Sequence, residues 1–138
     1  VCSEIQRVLT PGGKLICSTY GKKHMQEVSR LVRDFDDRIV LSADKLYERF
    51  GRENGADILA PYFSRIFWES YKDSLLVPDA EPLISYILSC HGNQNQYLLD
   101  KYKDFRGFVS RKTKDGFFIT KDAGYFSLVK NNQNLTFL

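Results

Sequence analysis

Four side chains able to bind or deprotonate a substrate lie close together near the start of this sequence. Ser18, Thr19 and Tyr20 carry hydroxyl groups, and they directly follow the apolar run 15–17. His24 comes one helical turn later in the chain, and imidazole is a common general base in enzymes. Ligands of open α/β sheets bind beyond the carboxyl ends of the strands. The spacing therefore predicts a substrate site at Ser18, Thr19, Tyr20 and His24, with His24 as the candidate base.

The same side chains also have a structural interpretation, which the sequence leaves open. Ser18 or Thr19 is a suitable N-cap for the helix that follows, because a hydroxyl accepts a hydrogen bond from an unpaired amide. Tyr20 then packs against the protein, and His24 becomes a solvent-facing helical residue.

Three aromatic residues farther along offer a second choice between function and packing. Tyr62, Trp68 and Tyr71 either line a pocket for an aromatic substrate or belong to the core, where aromatic side chains contribute large apolar areas.

Several self-contained sites are excluded by the absence of their motifs. The sequence has no GxGxxG, no GxxxxGK[ST] and no HExxH, so the usual dinucleotide, nucleotide and zinc-protease sites are not encoded. It has only two histidines, which disfavours a histidine-built metal centre. We predict no metal site and no cofactor-binding residue in these 138 residues.

The elements that must hold the predicted site come just before it. Apolar residues recur at helical spacing over residues 1–9, which predicts an amphipathic helix. A proline and two glycines at 11–13 predict a sharp turn. The apolar run 15–17 does not alternate with polar residues, which is typical of a strand covered on both faces and central in a parallel sheet.

This order of helix, Leu-Thr-Pro-Gly-Gly turn and buried strand resembles the approach to the fifth strand of class I S-adenosylmethionine-dependent methyltransferases. Later segments are similar to the same family. Residues 42–63, with Arg-Glu-Asn-Gly at 52–55, resemble the helical segment before the sixth strand. Residues 71–77 and 79–89 resemble the sixth strand and a following helix of the small-molecule type, and residues 114–129 resemble the closing strands. The resemblance implies an α/β fold, the C-terminal part of a doubly wound, Rossmann-like sheet with added helices and a closing antiparallel hairpin. Residues 1–130 would form this portion of the domain and 131–138 a tail.

The resemblance also implies that the cofactor half is missing. In this family the glycine-rich loop and the acidic residue that holds the ribose belong to strands that would precede Val1. S-adenosylmethionine is then the cofactor of the complete protein, and we expect this chain to be a fragment that is inactive alone and binds little of it. The implied substrate is a small-molecule methyl acceptor. The location is predicted from the cysteines instead: Cys2, Cys17 and Cys90 are odd in number and widely separated, so they form no disulfide framework and a reducing cytoplasm is expected.

Periodicity and turn residues predict the remaining elements. They are a helix over 22–36, a helix capped by Ser42 and ending at Gly55, a helix from the cap Asp79 to Gly92, a helix over 97–105, a basic loop over 106–114, and a hairpin of strands 117–120 and 125–129 joined at 122–124.

Two other classes of function remain as alternatives. A chain that lacks part of its sheet could be an interaction module, forming a homodimer through an exposed sheet edge. An RNA-binding domain would depend on the basic loop alone, and a net charge of +3 with interleaved signs disfavours a nucleic-acid partner. No apolar run approaches the roughly 20 residues that cross a bilayer, so no membrane partner is predicted.

Overall fold

The computed structural model describes residues 1–41 and 45–130. Their elements are α1 Cys2–Val8, β1 Lys14–Tyr20, α2 Gln26–Phe35, α3 Leu46–Arg49, α4 Gly55–Leu59, β2 Phe63–Val77, α5 Ala80–Ser89, α6 Gln94–Leu98, a short 3-10 helix Leu99–Lys101, α7 Tyr102–Thr113 and β3 Phe117–Lys130. None of these helices has the length and apolar character that crossing a membrane requires. The predicted cap Ser42 and the predicted tail 131–138 lie outside the described residues. The general α/β prediction is confirmed.

The described residues divide into two compact units. The first unit comprises residues 1–22, 47–71 and 123–130, and the second comprises the described parts of 23–46 and 72–122. Strands β2 and β3 each contribute residues to both units.

The strands form one three-stranded sheet in the order β1-β3-β2. β1 pairs antiparallel with β3, in a register that runs from Lys14 opposite Val129 to Tyr20 opposite Ala123. In the described sheet β1 therefore has a single neighbour, and its side chains alternate in exposure. Ile16 is 66% exposed. The expectation of a strand covered on both faces is not met within these residues.

Contacts between β2 and β3 fix the direction of β2. In the first unit the Tyr125 hydroxyl donates to Glu69 Oε2 at 2.6 Å, and Ser64 Oγ lies 3.5 Å from the Val129 carbonyl oxygen. The partner number on β3 falls as the number on β2 rises, so the two strands are antiparallel. Because β1 and β2 both run opposite to β3, they are parallel to each other.

The predicted hairpin at 122–124 is wrong, because residues 117–130 form one continuous strand. In the sequence Gly124 indicated a turn, but its φ is not positive, unlike that of Gly12 and Gly116. A Cβ at Gly124 would lie 2.5 Å from Trp68 Cζ2 and would also clash with the Glu69 carbonyl oxygen. The glycine therefore permits the close approach of β2 rather than a reversal of the chain.

Each unit has its own apolar core. The first is built around Leu59, Phe63, Phe126 and Leu128. The second contains thirteen buried residues: Val28, Leu31, Val32, Ile39, Leu41, Ala80, Leu83, Ile84, Ile87, Leu98, Phe105, Val109 and Ile119. The second core is formed mainly by the apolar faces of α2, α5 and α7, which pack against one another.

Several helix predictions are confirmed with shorter bounds, the helix predicted over 97–105 is divided among α6, the 3-10 helix and α7, and two further predictions are wrong. α2 begins at Gln26 rather than 22, and α5 has its predicted cap, since Asp79 Oδ1 accepts from the Glu81 amide at 3.1 Å. Gly55 begins α4 instead of ending a helix. The predicted basic loop is helical, because α7 continues through Thr113 and buries Phe105, Val109 and Thr113 at intervals of four residues.

Candidate functional site

The structure divides the predicted site residues between the two units. Ser18, Thr19 and Tyr20 belong to the first unit, where they are the last three residues of β1 rather than residues that follow it. Ser18 is exposed and lies opposite Tyr125, whereas Thr19 and Tyr20 are half-buried. None of the three caps α2, so the N-cap interpretation is wrong. His24 belongs to the second unit.

The carboxyl end of β1 is held by the segment that precedes α4. Thr19 Oγ1 donates to the Phe50 carbonyl oxygen at 2.8 Å, and the Arg52 amide approaches the Tyr20 carbonyl oxygen at 3.4 Å. The Thr19 hydroxyl therefore has a structural task, since its proton is directed at a backbone acceptor. Its lone pairs are not used by that bond.

The same segment is fixed by its own side chains. Glu53 Oε1 accepts from the Lys22 amide at 3.0 Å. Asn54 Oδ1 accepts from the Gly51 amide at 2.7 Å, and Asn54 Nδ2 donates to the Glu48 carbonyl oxygen at 2.8 Å. These bonds satisfy the backbone around the tight turn and hold it against the end of β1.

Arg52 also lies at the end of β1, and it was not among the predicted site residues. Its guanidinium carbon lies 5.9 Å from the centre of the Trp68 ring, within cation–π range. The available signal was the polar Arg-Glu-Asn-Gly run between apolar segments. Trp68 itself packs edge-on against Phe126 at 4.8 Å and, with Tyr62, lies against the first core. Tyr71 is 67% exposed, so these aromatic residues do not form a common pocket, and the core interpretation holds for two of them.

His24 lies in the turn before α2 and is half-buried, so it is not a solvent-facing helical residue. Its Nδ1 accepts a hydrogen bond from the Asp122 amide at 3.2 Å. Burial lowers the pKa of His24; the Asp122 carboxylate opposes this effect, and Lys121 adds to it. The imidazole is therefore neutral at pH 7 with its proton on Nε2. In this form it donates through Nε2, and Nδ1 cannot accept a substrate proton without losing the Asp122 bond.

A neighbouring carboxylate fixes the same turn within the second unit. Glu27 accepts from the Thr120 amide at 3.0 Å and from the Thr120 hydroxyl, while the Met25 amide donates to the Thr120 carbonyl oxygen at 2.8 Å. Burial alone would raise the pKa of Glu27, but the hydrogen bonds from Thr120, with a backbone hydrogen bond of Glu27 itself and the nearby Arg30 charge, together lower it. Glu27 is therefore an anionic anchor and not a proton donor near neutral pH.

The basic residues of α7 do not form the loop that the RNA-binding alternative required. Arg106 pairs with Glu81 at 2.6 Å, and Lys112 lies 5.5 Å from the centre of the Phe108 ring. These cations sit on a helix whose other side is buried in the second core.

Within the part of the chain that the structure describes, no group of three His, Cys, Asp or Glu side chains is arranged to hold a metal ion. No model of a known protein family matches this chain, and no curated protein matches it.

Proposed function

We propose that residues 1–130 are the C-terminal portion of a class I S-adenosylmethionine-dependent methyltransferase domain of the small-molecule type. They would supply substrate-side structure around the carboxyl end of β1. The sheet of which β1, β2 and β3 are a part would then be doubly wound and Rossmann-like, with the cofactor-binding half formed by residues outside this sequence.

The observation that carries the proposal is the relation between β1 and β2. The resemblance assigns 15–17, in β1, to the fifth position and 71–77, the last part of β2, to the sixth. In the first unit β1 and β2 are parallel to each other, with α2, α3 and α4 between the two strands in the chain. Parallel strands joined through helices are the unit of doubly wound sheets. The segment that resembles the closing strands lies between them as the antiparallel β3, and antiparallel strands are common in otherwise parallel α/β sheets.

The site proposed for the methyl acceptor is the end of β1 with the segment that holds it. Methyl transfer is a displacement at the sulfonium methyl carbon, so the protein mainly positions the nucleophile. Ser18 is exposed at this end, and the hydrogen bonds of Thr19 to Phe50 and of Lys22 to Glu53 keep the surrounding backbone fixed. A rigid strand end of this kind suits the orientation of a bound acceptor.

The residues present do not fit the cofactor itself. The adenosine and sulfonium ends need a close backbone approach at a glycine-rich loop and a carboxylate for the ribose hydroxyls. At the end of β1 the carboxylate of Glu53 already accepts from the Lys22 amide. A Cβ at Gly51 would meet the backbone of Tyr47, so this glycine serves chain packing rather than a ligand.

The test is a calorimetric titration with S-adenosylhomocysteine of two proteins: the 138-residue chain and a version extended by the residues encoded upstream of Val1. We expect micromolar binding by the extended protein and at least about 100-fold weaker binding by the chain alone, a difference of about 2.7 kcal/mol. Circular dichroism of the shorter chain serves as the control that it is folded. Equal binding by both proteins, or binding by neither, would contradict the proposal.

Self-association through the sheet is a second candidate function, and one observation favours it. Leu15, Cys17, Ile66 and Trp68 lie against the first core, so the intervening residues of β1 and β2 point to the other face of the sheet. On that face Ile16 is 66% exposed and Phe67 is 67% exposed. Two such faces from two copies of the chain could bury each other.

Size-exclusion chromatography with light scattering tests this second candidate. A dimer that is lost in Ile16→Lys and Phe67→Lys but kept in Val8→Lys would support it, since Val8 is a 62% exposed apolar residue on a different element, α1. A monomer at all concentrations, or a dimer unaffected by both sheet substitutions, would rule it out.

A further inference from the structure

A cavity of about 420 Å³ opens between α2 and α7 in the second unit. This volume lies within the roughly 300–1000 Å³ typical of small-molecule sites. Its apolar side is formed by Phe35 and Phe108, whose ring centres are 5.5 Å apart. Phe35 also packs edge-on at 5.1 Å against Phe105, which is fully buried. The aromatic side of the cavity is therefore anchored in the core and preformed.

A glycine in the middle of α7 keeps this cavity open. Gly107 lies in a helix that runs from Tyr102 to Thr113, where glycine is the least favourable residue after proline. Packing does not require it, because a Cβ at this position would have only Arg111 Nη1 within 4 Å, at an ordinary contact distance of 3.6 Å. A larger side chain at this position would instead project into the cavity.

Charged side chains of both signs line the cavity without pairing. Asp34 and Asp104 contribute carboxylates, while Lys103 and Arg111 contribute cations. None of these four forms an ion pair with any described residue, although other opposite charges in the same unit pair at 2.6 and 2.7 Å. Lys103 and Arg111 are eight residues apart on α7, which places them about 12 Å apart along the helix axis, on either side of Gly107.

We propose that this cavity binds a small zwitterion with an apolar body, an α-amino acid with an aromatic or branched side chain. Its carboxylate is bound by the Arg111 guanidinium, which suits carboxylates geometrically, and its ammonium by Asp34 and Asp104. Its side chain lies on Phe35 and Phe108.

The two signs of charge exclude simpler ligands. A plain anion would leave the two carboxylates of the cavity unpaired, and a plain cation would leave Lys103 and Arg111 unpaired, whereas a zwitterion pairs with both signs. This inference does not depend on the proposed methyltransferase function, because the cavity contains no residue of β1 or of the segment that holds it.

The test uses the full chain labelled with ¹⁵N and titrated with L-phenylalanine, followed by amide chemical shifts. We expect saturable shifts at millimolar ligand, concentrated on Phe35, Gly107 and Phe108. The analogues 3-phenylpropionate and phenethylamine each lack one charge, and each should bind at least about tenfold more weakly because one charged pair is lost. No saturable shifts, or equal binding of either analogue, would overturn the proposal.

Substitutions separate this site from general surface binding. Arg111→Gln and Asp34→Asn should each weaken binding at least about tenfold. Arg106→Gln on the same helix should not change it, because Arg106 pairs with Glu81 and does not line the cavity. Gly107→Leu should abolish binding and leave the circular dichroism spectrum helical, since leucine favours helices. Three outcomes would each refute the proposal. They are an equal loss of binding with Arg106→Gln, unchanged binding with Gly107→Leu, and a loss with Arg111→Gln but not with Asp34→Asn.

Discussion

Replacement of Gly124 by alanine tests the close approach of β2 and β3 on which the sheet depends. The added methyl group would lie 2.5 Å from Trp68 Cζ2 and 2.9 Å from Cη2, and it would clash with the Glu69 carbonyl oxygen. The indole ring could turn aside, but the carbonyl oxygen is part of the strand and cannot move without disturbing the sheet.

Overpacking of this kind costs about 1–3 kcal/mol, and the backbone clash places Gly124→Ala at the upper end. Alanine also restricts the unfolded chain more than glycine does, which raises the free energy of unfolding by about 0.4–1 kcal/mol. We therefore expect the free energy of unfolding to fall by about 2 kcal/mol. Gly124→Asn should cost more than this, because its longer side chain meets the same obstacles.

Which of the two substitutions destabilises the protein more distinguishes this strand from the hairpin that the sequence predicts. In a turn with positive φ, asparagine is tolerated better than alanine, so a hairpin would make Gly124→Asn the milder change. Urea unfolding followed by fluorescence measures both, since Trp68 is the single tryptophan and lies at the contact. Gly107→Ala is the matched control and should stabilise the protein by up to about 1 kcal/mol. A milder effect of asparagine, or a loss under 0.5 kcal/mol for alanine, would refute the assigned contact.

Three further substitutions or titrations test the site and its surroundings. Thr19→Val removes the hydrogen bond of a half-buried hydroxyl and should lower the free energy of unfolding, measured in urea, by about 1 kcal/mol. Ser18→Ala, the control, should change it by less than about 0.5 kcal/mol. Equal effects of the two substitutions would contradict the assigned hydrogen bond. The imidazole ¹⁵N shifts of His24 should show a pKa below its usual value and the Nε2–H form, and an Nδ1–H form would contradict the Asp122 contact. The hydrogen bond from the Arg38 side chain, together with that from the Arg38 amide, lowers the pKa of Asp36 to about 2. The resulting stabilisation is present above the ordinary aspartate pKa and is lost as the pH falls toward 2, so the stability difference between the wild type and Arg38→Ala should shrink over that range. A difference that grows on acidification would refute this.

Local signals in the sequence predicted those elements whose cause is local. Asp79 caps α5 through a hydrogen bond two residues away, and the stripe Val28, Leu31 and Val32 follows from helical spacing. Gly124 was misread because glycine permits both a turn and a close approach of another strand, and only the distant Trp68 decides between them.

The interpretation of α7 failed for a related reason. Its glycine and its many charges resemble a loop, yet Phe105, Val109 and Thr113 recur at intervals of four residues and are buried. That apolar period was a signal of a helix in the sequence, and the charged residues on the exposed side concealed it.

For the candidate site, the sequence indicates where in the chain to look but not which contacts its residues make. The residues at the end of β1 were identified because ligands of α/β sheets bind at strand ends. The contact of Thr19 with Phe50 spans 31 residues and leaves no local pattern. The same holds for His24 and Asp122, which are 98 residues apart.

These long-range bonds limit what this chain can contribute to the proposed methyl transfer. Glu53 accepts from a backbone amide, Glu27 from Thr120, and His24 Nδ1 from Asp122. Each of these three groups already accepts a hydrogen bond within its own unit. The bonds fix the chain after β1, in the turn before α2 and in the segment before α4. An acceptor that is nucleophilic without deprotonation, such as a neutral amine, suits this arrangement better than an alcohol.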